Sequence, residues 1–509
     1  MRDHQPVVIE DFNGLWKRGD ADSVPLDHFV ESLNLAYIES GFRTRDGINP
    51  FIATRSNGER SIVRMYTFDV EGANDGLITL DVSGNFYHIK PDIPSATLIL
   101  SVLNAQDFSM AVINGRAYIT PFRPNASFSD FVYVYNGDGT LARKIGGIPP
   151  KDADGAFTAA TGAAGTVEAG IHIFGVVYET NSGFLTQIGP DTLEVYTAPG
   201  AFKVNLTAIP ASPNTYVVAR HIVASKSINP ANYNGDTRGY ELFFVPDGDI
   251  NDNVTTTLTV DFFDSELLES AANLLDLFTE VSNGKYLAIY HNRLVICGQG
   301  NPSNANLVRI SNVGEFEAFD QVTGFLVQQN DGLGIECCQE FRDILYLFKI
   351  NQTTGFTDNG DVPTSWQETI LDQGLGASSH GVCFVDTRGG MNIEFIILAN
   401  YSGIFIFNGV FQKPELSYKI LDFWLGLDQV DLAVNFQIYN DALHQILYIS
   451  IPSLFMILIG DYTVGLTHKD IKWGKWTYDV QPTTITLLAK DEKLLIGSNG
   501  VKNPASESI

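Results

Sequence analysis

The chain has 509 residues, 44% of them apolar and 11% aromatic, which is ample for a core and excludes a disordered polymer. Only 18% are charged, and 59 acidic against 32 basic side chains leave a net charge of −27. Affinity for nucleic-acid phosphate comes from Lys and Arg, so a surface of this sign does not grip DNA.

The acid excess is spread out. Residues 151–270 carry five basic and fifteen acidic side chains, and residues 276–380 carry five and thirteen. The N-terminal MRDHQPVVIEDF lacks the apolar stretch of a signal peptide. No run reaches the roughly 18 apolar residues of a membrane helix, and IPSLFMILIG reads instead as a buried strand. The expectation is synthesis in a cytoplasm, no standard export signal and no membrane span.

In chain order, SVPLDHFVESLNLAYIES (23–40) predicts a helix, with Ser23 as cap and Pro25 in the first turn. Most of the chain beyond it reads as short strands separated by Gly, Asn, Asp and Pro, as in DGLITLDVSGNFYHI (75–89) and DFVYVYNGDGTL (130–141). A linker rich in Pro, Ala and Gly is expected over 146–166, then six or seven alternating strands up to TTTLTVDFF. DSELLESAANLLDLF (264–278) suggests a second helix. Strands then resume in HNRLVICG, EFIILANYSGIFIFNG, HQILYISIP and KDEKLLIGS.

These turn-and-strand units recur. Their turns fall near 57, 114, 291, 342, 390, 440 and 491, with spacings of 51, 48, 50 and 51 from 291 onward. The gap of 177 becomes one more ordinary period once about 120 inserted residues are removed. A fifty-residue all-β repeat has the length of a four-stranded propeller blade. The fold class expected is all-β: a six- or seven-bladed β-propeller with an inserted immunoglobulin/fibronectin-III-like β-sandwich. The expected organisation is an N-terminal segment (1–47), first blades (48–150), the sandwich (151–272) and the remaining blades (273–509). The final hairpin is short of a full blade, so PVVIEDF (6–12) is a candidate closing strand.

Several stretches carry a resemblance. DFNGLWKRGDADSVPLDHFVESLNLAYIESGFRTRDG (11–47) is similar to the opening of a family of bacteriophage tail structural proteins. There a Phe-Gly-Leu-like stretch precedes Pro, a short helix with Leu-Asn, and Arg-x-Gly. HNRLVICGQGNPSNANLVRISNVGEFEAF (291–319) resembles their Asn-Arg-Leu, Gly, Pro-x-x-Asn, Ser-x-x-Gly, aromatic run. ILYLFKINQTTGF with SWQETILDQGLGASSHGVCFVD, and then LANYSGIFIFNGV, resemble the next two blades, and 170–264 resembles the sandwich inserted after the second. The family is the propeller-type nozzle or hub (tail tubular) proteins of short-tailed double-stranded DNA phages. The resemblance implies a homo-oligomeric ring, usually a hexamer, below portal and adaptor proteins. It implies tail fibres or tail-tip proteins as further neighbours. Double-stranded DNA would pass through transiently and non-specifically, and the chain would reside in the virion tail after assembly in the host cytoplasm. The chain ends soon after its final hairpin, which leaves tip and middle-ring positions both open.

Signatures of chemistry are few. G-x-S-x-G, HExxH and the Walker A pattern are absent from the sequence. DQGLGASSHG (372–381) has glycines but no lysine and reads as a loop. DGDINDN (247–253) lacks the sixth-position glycine of a calcium loop, and Leu258 stands where its last acid belongs, so it reads as a hairpin turn. RGD (18–20) reads as coincidence, and the nine histidines show no metal-ligand spacing. Cys297, Cys337, Cys338 and Cys383 lack CxxC spacing and read as free, mostly buried thiols, with the adjacent pair on opposite strand faces. No catalytic, cofactor-binding or metal residue is expected, and the protein is read as a non-enzyme. The expected function is a ring-shaped nozzle with an acidic, non-sticking channel for genome ejection. The alternative is a host-receptor or glycan-binding tail protein, with Trp366, Trp473 and Trp476 as stacking platforms.

Overall fold

The computed structural model describes residues 15, 17, 34–38, 41–44, 61–70, 75–90, 93–123, 130–189, 192–275, 277–298, 305–320, 324–327, 333–360, 362–387, 393–427, 436–488 and 493–503. The expected closing strand at 6–12 and the RGD tripeptide lie outside them.

Seven antiparallel sheets make the propeller. Blade one is Ile62–Phe68, Gly76–Asp81, Asn85–Lys90 and Ile93–Ser101; blade two is Asp107–Ile113, Arg116–Phe122, Tyr133–Tyr135 and Arg143–Lys144. Blade three is Tyr286–Tyr290, Arg293–Cys297, Leu307–Ile310 and Phe325–Leu326; blade four is Cys337–Phe341, Ile344–Lys349, Gln352–Thr357 and Gln367–Asp372. Blade five has, among the described residues, three strands, Val382–Thr387, Ile393–Asn400 and Gly403–Phe407, and a short helix, Leu421–Leu425, packs against the third. Blade six is Gln437–Asp441, Ile446–Ile451, Met456–Asp461 and Lys472–Thr477. Blade seven has, among the described residues, Val480–Leu488 and Lys493–Lys502.

The recurring turn has a physical basis. The first hairpins of blades two, three and four turn in two residues, Asn114–Gly115, His291–Asn292 and Arg342–Asp343, all with positive φ. Such primed turns match the twist of the flanking strands. Blade one departs from the pattern. The strand after SNGER is the blade's first strand rather than its second, and the hairpin turn lies between Phe68 and Gly76.

The ring closes between blades seven and one. Met65 N–H donates to Thr484 Oγ1 at 3.2 Å, Thr483 Oγ1 donates to the Ile62 carbonyl at 2.6 Å, and Thr67 and Thr486 share a hydrogen bond of 2.7 Å. Met65, Leu77, Tyr87, Ile89, Leu488 and Leu495 fill the apolar seam. Two described N-terminal residues contact blades five and six. Leu15 is buried in the core of blades five and six, and Asn34 is tied to Thr477 of blade six. Leu35–Ile38 pairs with Gly41–Thr44 as a hairpin, so the helix expected over 23–40 does not extend through these residues; 23–33 lie outside the described residues. A hairpin satisfies Asn34, whose φ of 56° a continuing helix forbids.

Between blades two and three lies a sandwich of two sheets. One has the order Thr158–Val167, Phe202–Thr207, Thr257–Val260; the other has Glu194–Ala198, Gly170–Thr180, Val217–Ala224, Phe243–Ile250. Their inner faces bury Phe174, Val176, Val204, Leu206, Ile222 and Phe262. Two expectations fail here. Thr158–Val167, read as linker, is a ten-residue edge strand with register shifts. Its Ala and Gly suit a mostly exposed edge that packs little. The span 264–278, read as a helix, forms among its described residues only short 3-10 turns at Asp264–Glu266 and Ala272–Leu274. Ser270 bridges to Phe243 and Leu277 to Asp320, and this return path needs more rise per residue than an α-helix gives.

Candidate functional site

The first strands of the blades converge on the propeller axis, and a buried polar network fills it. Arg64, in the middle of blade one's first strand, pairs with Asp107 at the start of blade two, Nε to Oδ1 at 2.9 Å. His380 Nε2 lies 2.5 Å from the other carboxylate oxygen. Tyr66 OH approaches His380 Nδ1 at 3.2 Å, and Tyr286 OH at 3.5 Å. Arg64 also reaches Gln437 Oε1 at 3.4 Å, an oxygen that accepts from Thr484 Oγ1 and the Ile485 N–H. Blades one, two, three, six and seven and the loop entering blade five thus meet in one cluster.

The electrostatics are self-consistent. Burial alone would raise the Asp107 carboxyl, but the Arg64 guanidinium and then His380 hold it far below the usual carboxylate range. Burial, then Arg64, push His380 below the ordinary imidazole value. Burial raises both tyrosine hydroxyls, so they stay protonated and can donate. A neutral His380 carrying its proton on Nε2 satisfies every contact: it donates to Asp107 and accepts at Nδ1. The cluster holds one cation and one anion, which avoids leaving a buried charge unpaired.

The loop carrying His380 is the glycine-rich DQGLGASSHG. It crosses from the outer edge of blade four to the axis. A Cβ at Gly376 would lie 1.8 Å from the Lys349 carbonyl oxygen, so only glycine fits. Cys337 Sγ and the Gly381 N–H both contact the Ser378 carbonyl.

Above this floor the axis widens into a funnel with two lobes that share Tyr66 and Tyr286. The larger, about 520 Å³, reaches Ser109, Met110, Ile289, Phe341, Arg342 and Glu394; the smaller, about 270 Å³, reaches Cys383, Tyr439 and Thr486. At the rim, His291, Glu340 and Asp343 come close enough to share a cation among the described residues, and His291 Nδ1 also lies 3.4 Å from Asp358.

A second polar junction locks the sandwich to the disc. Arg143, in blade two's outermost strand, forks onto Glu317 of blade three at 2.7 and 2.9 Å. The same guanidinium donates to Asn181, Thr180 and Ser182 of the sandwich. Apolar packing runs alongside: Ile173, Val177 and Val223 of the sandwich meet Leu274, Leu277 and Ala318. Of the segments joining sandwich to propeller, the first is packed, with Gly146, Gly147, Pro149 and Pro150 buried, while the return segment buries Leu267, Ala271 and Leu274 and leaves most of its other residues exposed.

Other sequence candidates land in bland places. Trp366 and Trp473 are buried between strands, and Trp476 packs on Tyr448, so none is an open sugar platform. Asp252 of DGDINDN caps the amides of Val254 and Thr255 and takes a hydrogen bond from buried Arg220, which makes the stretch a braced turn. Arg64, Asp107 and Gln437 are invisible as a set in the sequence, because 373 residues separate the first from the last. The available signal is an ionisable residue inside an otherwise apolar strand, in SIVRMYTF and DFSMAVI.

No family model and no curated protein sequence matches the chain. Among solved structures it is similar to BamB from Moraxella catarrhalis, with 10% identity over 86% of this chain and 91% of that one and a TM-score of 0.34. It is also similar to Hsv2 from Kluyvelomyces marxianus, with 8% identity over 86% and 97% and a TM-score of 0.27. A third is BBS1N, solved in complex with ARL6DN, with 10% identity over 80% and 94% and a TM-score of 0.29. At these scores the propeller assignment rests on the seven sheets themselves.

Proposed function

We propose that this chain is a structural subunit of a phage tail, several copies of which close into a ring that conducts double-stranded DNA. The observation that carries this reading is the filled axis. Buried Arg64, Asp107 and His380 occupy the axis, so a passage wide enough for duplex DNA has to run between copies rather than through one. The Arg143–Glu317 junction and the apolar packing beside it join sandwich to disc, which suits a building block of a ring. The charge supports the conduit. Asp152, Glu168, Glu241, Asp247, Glu266 and Glu269 are exposed on the insert and its return segment, and a wall of this sign repels phosphate and lets DNA slide. Portal, adaptor and fibre neighbours and a sixfold ring are carried by the resemblance at residues 11–47 and 291–319.

Sedimentation of the full chain over rising concentration, paired with DNA retention at low salt, tests this. The expected result is a closed oligomer of roughly six copies that fails to retain duplex. A monomer at every concentration, or retention that weakens steeply with salt, contradicts it.

A second reading, a receptor- or glycan-binding tail protein, rests on the funnel rather than on the tryptophans. Its mixed lining of Tyr66, Tyr286, Arg342 and Glu394 offers both apolar and polar contacts. Peripheral trimers, in place of an axial ring, favour that reading.

A further inference from the structure

Two sulfurs face each other across the boundary between blades three and four. Cys297 ends the second strand of blade three, and Cys338 lies in the first strand of blade four. Their Sγ atoms are 2.7 Å apart. Non-bonded heavy atoms rest at roughly 3.5–4.0 Å, whereas a disulfide holds its sulfurs at about 2.05 Å. The two free thiols therefore stand between an ordinary packing contact and a bond. Both residues are buried in one apolar cluster with Tyr290, Val295, Leu345 and Trp366.

We propose that Cys297 and Cys338 form a disulfide that staples blade three to blade four when the chain meets an oxidant. The inference is independent of the tail reading, since it needs only these two strands. It is also selective. Cys337 points to the opposite face, where its Sγ contacts the Ser378 carbonyl at 3.9 Å in the core shared with blade five. Cys383 packs against the separate core of blades five and six.

The chemistry balances with a low-molecular-weight disulfide such as oxidised glutathione. One cysteine thiolate attacks it, forming a mixed disulfide and expelling the first glutathione thiolate. The second cysteine then attacks the mixed disulfide and expels the other. Two electrons pass from the cysteine sulfurs to the glutathione sulfurs, and the two thiol protons end on the departing thiolates. Burial holds the Cys297 thiol well above its ordinary pKa, so little thiolate exists in the closed fold and the bond forms as the chain folds or opens locally. Cys338 also lines the larger lobe of the funnel, so the staple fixes the spacing of one funnel wall.

The test uses the full chain expressed in a reducing and in an oxidising host cytoplasm. Each sample is denatured with N-ethylmaleimide, weighed intact and mapped without reductant. The expected result is four adducts from the reducing host and two from the oxidising one, with a 297–338 cross-linked peptide. Cys337→Ser with Cys383→Ser keeps the cross-link, and either Cys297→Ser or Cys338→Ser loses it. If a serine variant fails to fold, the peptide map of the unaltered chain still decides. Four adducts from both hosts, or a cross-link through Cys337 or Cys383, overturns the proposal.

Discussion

Arg64, Asp107 and His380 show how single side chains decide the character of this disc. Removing one partner of a buried ion pair strands the other, at a cost of about 3–5 kcal/mol. Asp107→Asn is expected to lower the unfolding free energy by that order, read from denaturant midpoints. The pH response is set by the directions of two pKa shifts. Asp107 and His380 both sit below their ordinary values in the folded chain, so the unfolded chain binds more protons. Their stabilisation is complete above the ordinary histidine value of about 6.5. It falls first as His380 is asked to charge, and again below about 4 as Asp107 is protonated. The melting temperature is therefore expected to drop between pH 7 and pH 5, and His380→Gln is expected to flatten that drop. An unchanged slope in the variant contradicts the assignment of His380. Beyond an ionisable residue in a largely apolar strand, none of this is legible in the sequence. The glycine-rich loop is readable as a loop, but Gly376 owes its identity to the Lys349 carbonyl of blade four's second strand, and contacts at that range leave no local pattern.

At the level of elements, the legible and the hidden divide along local against long-range causes. The primed turns at Asn114, His291 and Arg342 depend on two residues and their flanks, so their rhythm is visible. The helix expected at 264–278 fails because its leucines, spaced as if for one helical face, instead serve separate contacts: Leu267 enters the sandwich core, while Leu274 and Leu277 pack at its seam with the disc. The edge strand Thr158–Val167 resembles a linker because its small residues satisfy a backbone ladder, not a core. Two expectations belong here. Arg143→Ala leaves Glu317 buried without its cation, so faster hydrogen exchange is expected at 146–148 and 271–275, while blades five and six stay protected. Equal protection in both regions contradicts a locking role. Thr484→Val leaves the Met65 N–H buried and unpaired at the ring seam, with an expected loss of about 1–3 kcal/mol. A loss under a few tenths of that in a denaturant titration means the apolar seam closes the ring by itself.

The whole molecule is a seven-bladed disc with a buried polar network on its axis, carrying an acidic sandwich docked between its second and third blades. A disc with that axis occupied conducts no duplex alone, so the proposed role depends on assembly. Replacing residues 151–270 with a short flexible linker is expected to leave a folded disc of reduced stability, because Ala318 loses its cover, and to impair ring formation. Normal rings from that deletion count against the sandwich as an assembly element. The measurement that bears most directly on the central claim is electron cryo-microscopy of the assembled full-length chain. The account predicts closed rotational symmetry, with the opening between subunits, acidic side chains along its wall and density filling every propeller axis at Arg64, Asp107 and His380. Copies without closed symmetry, or an opening lined mainly by Lys and Arg, contradict it.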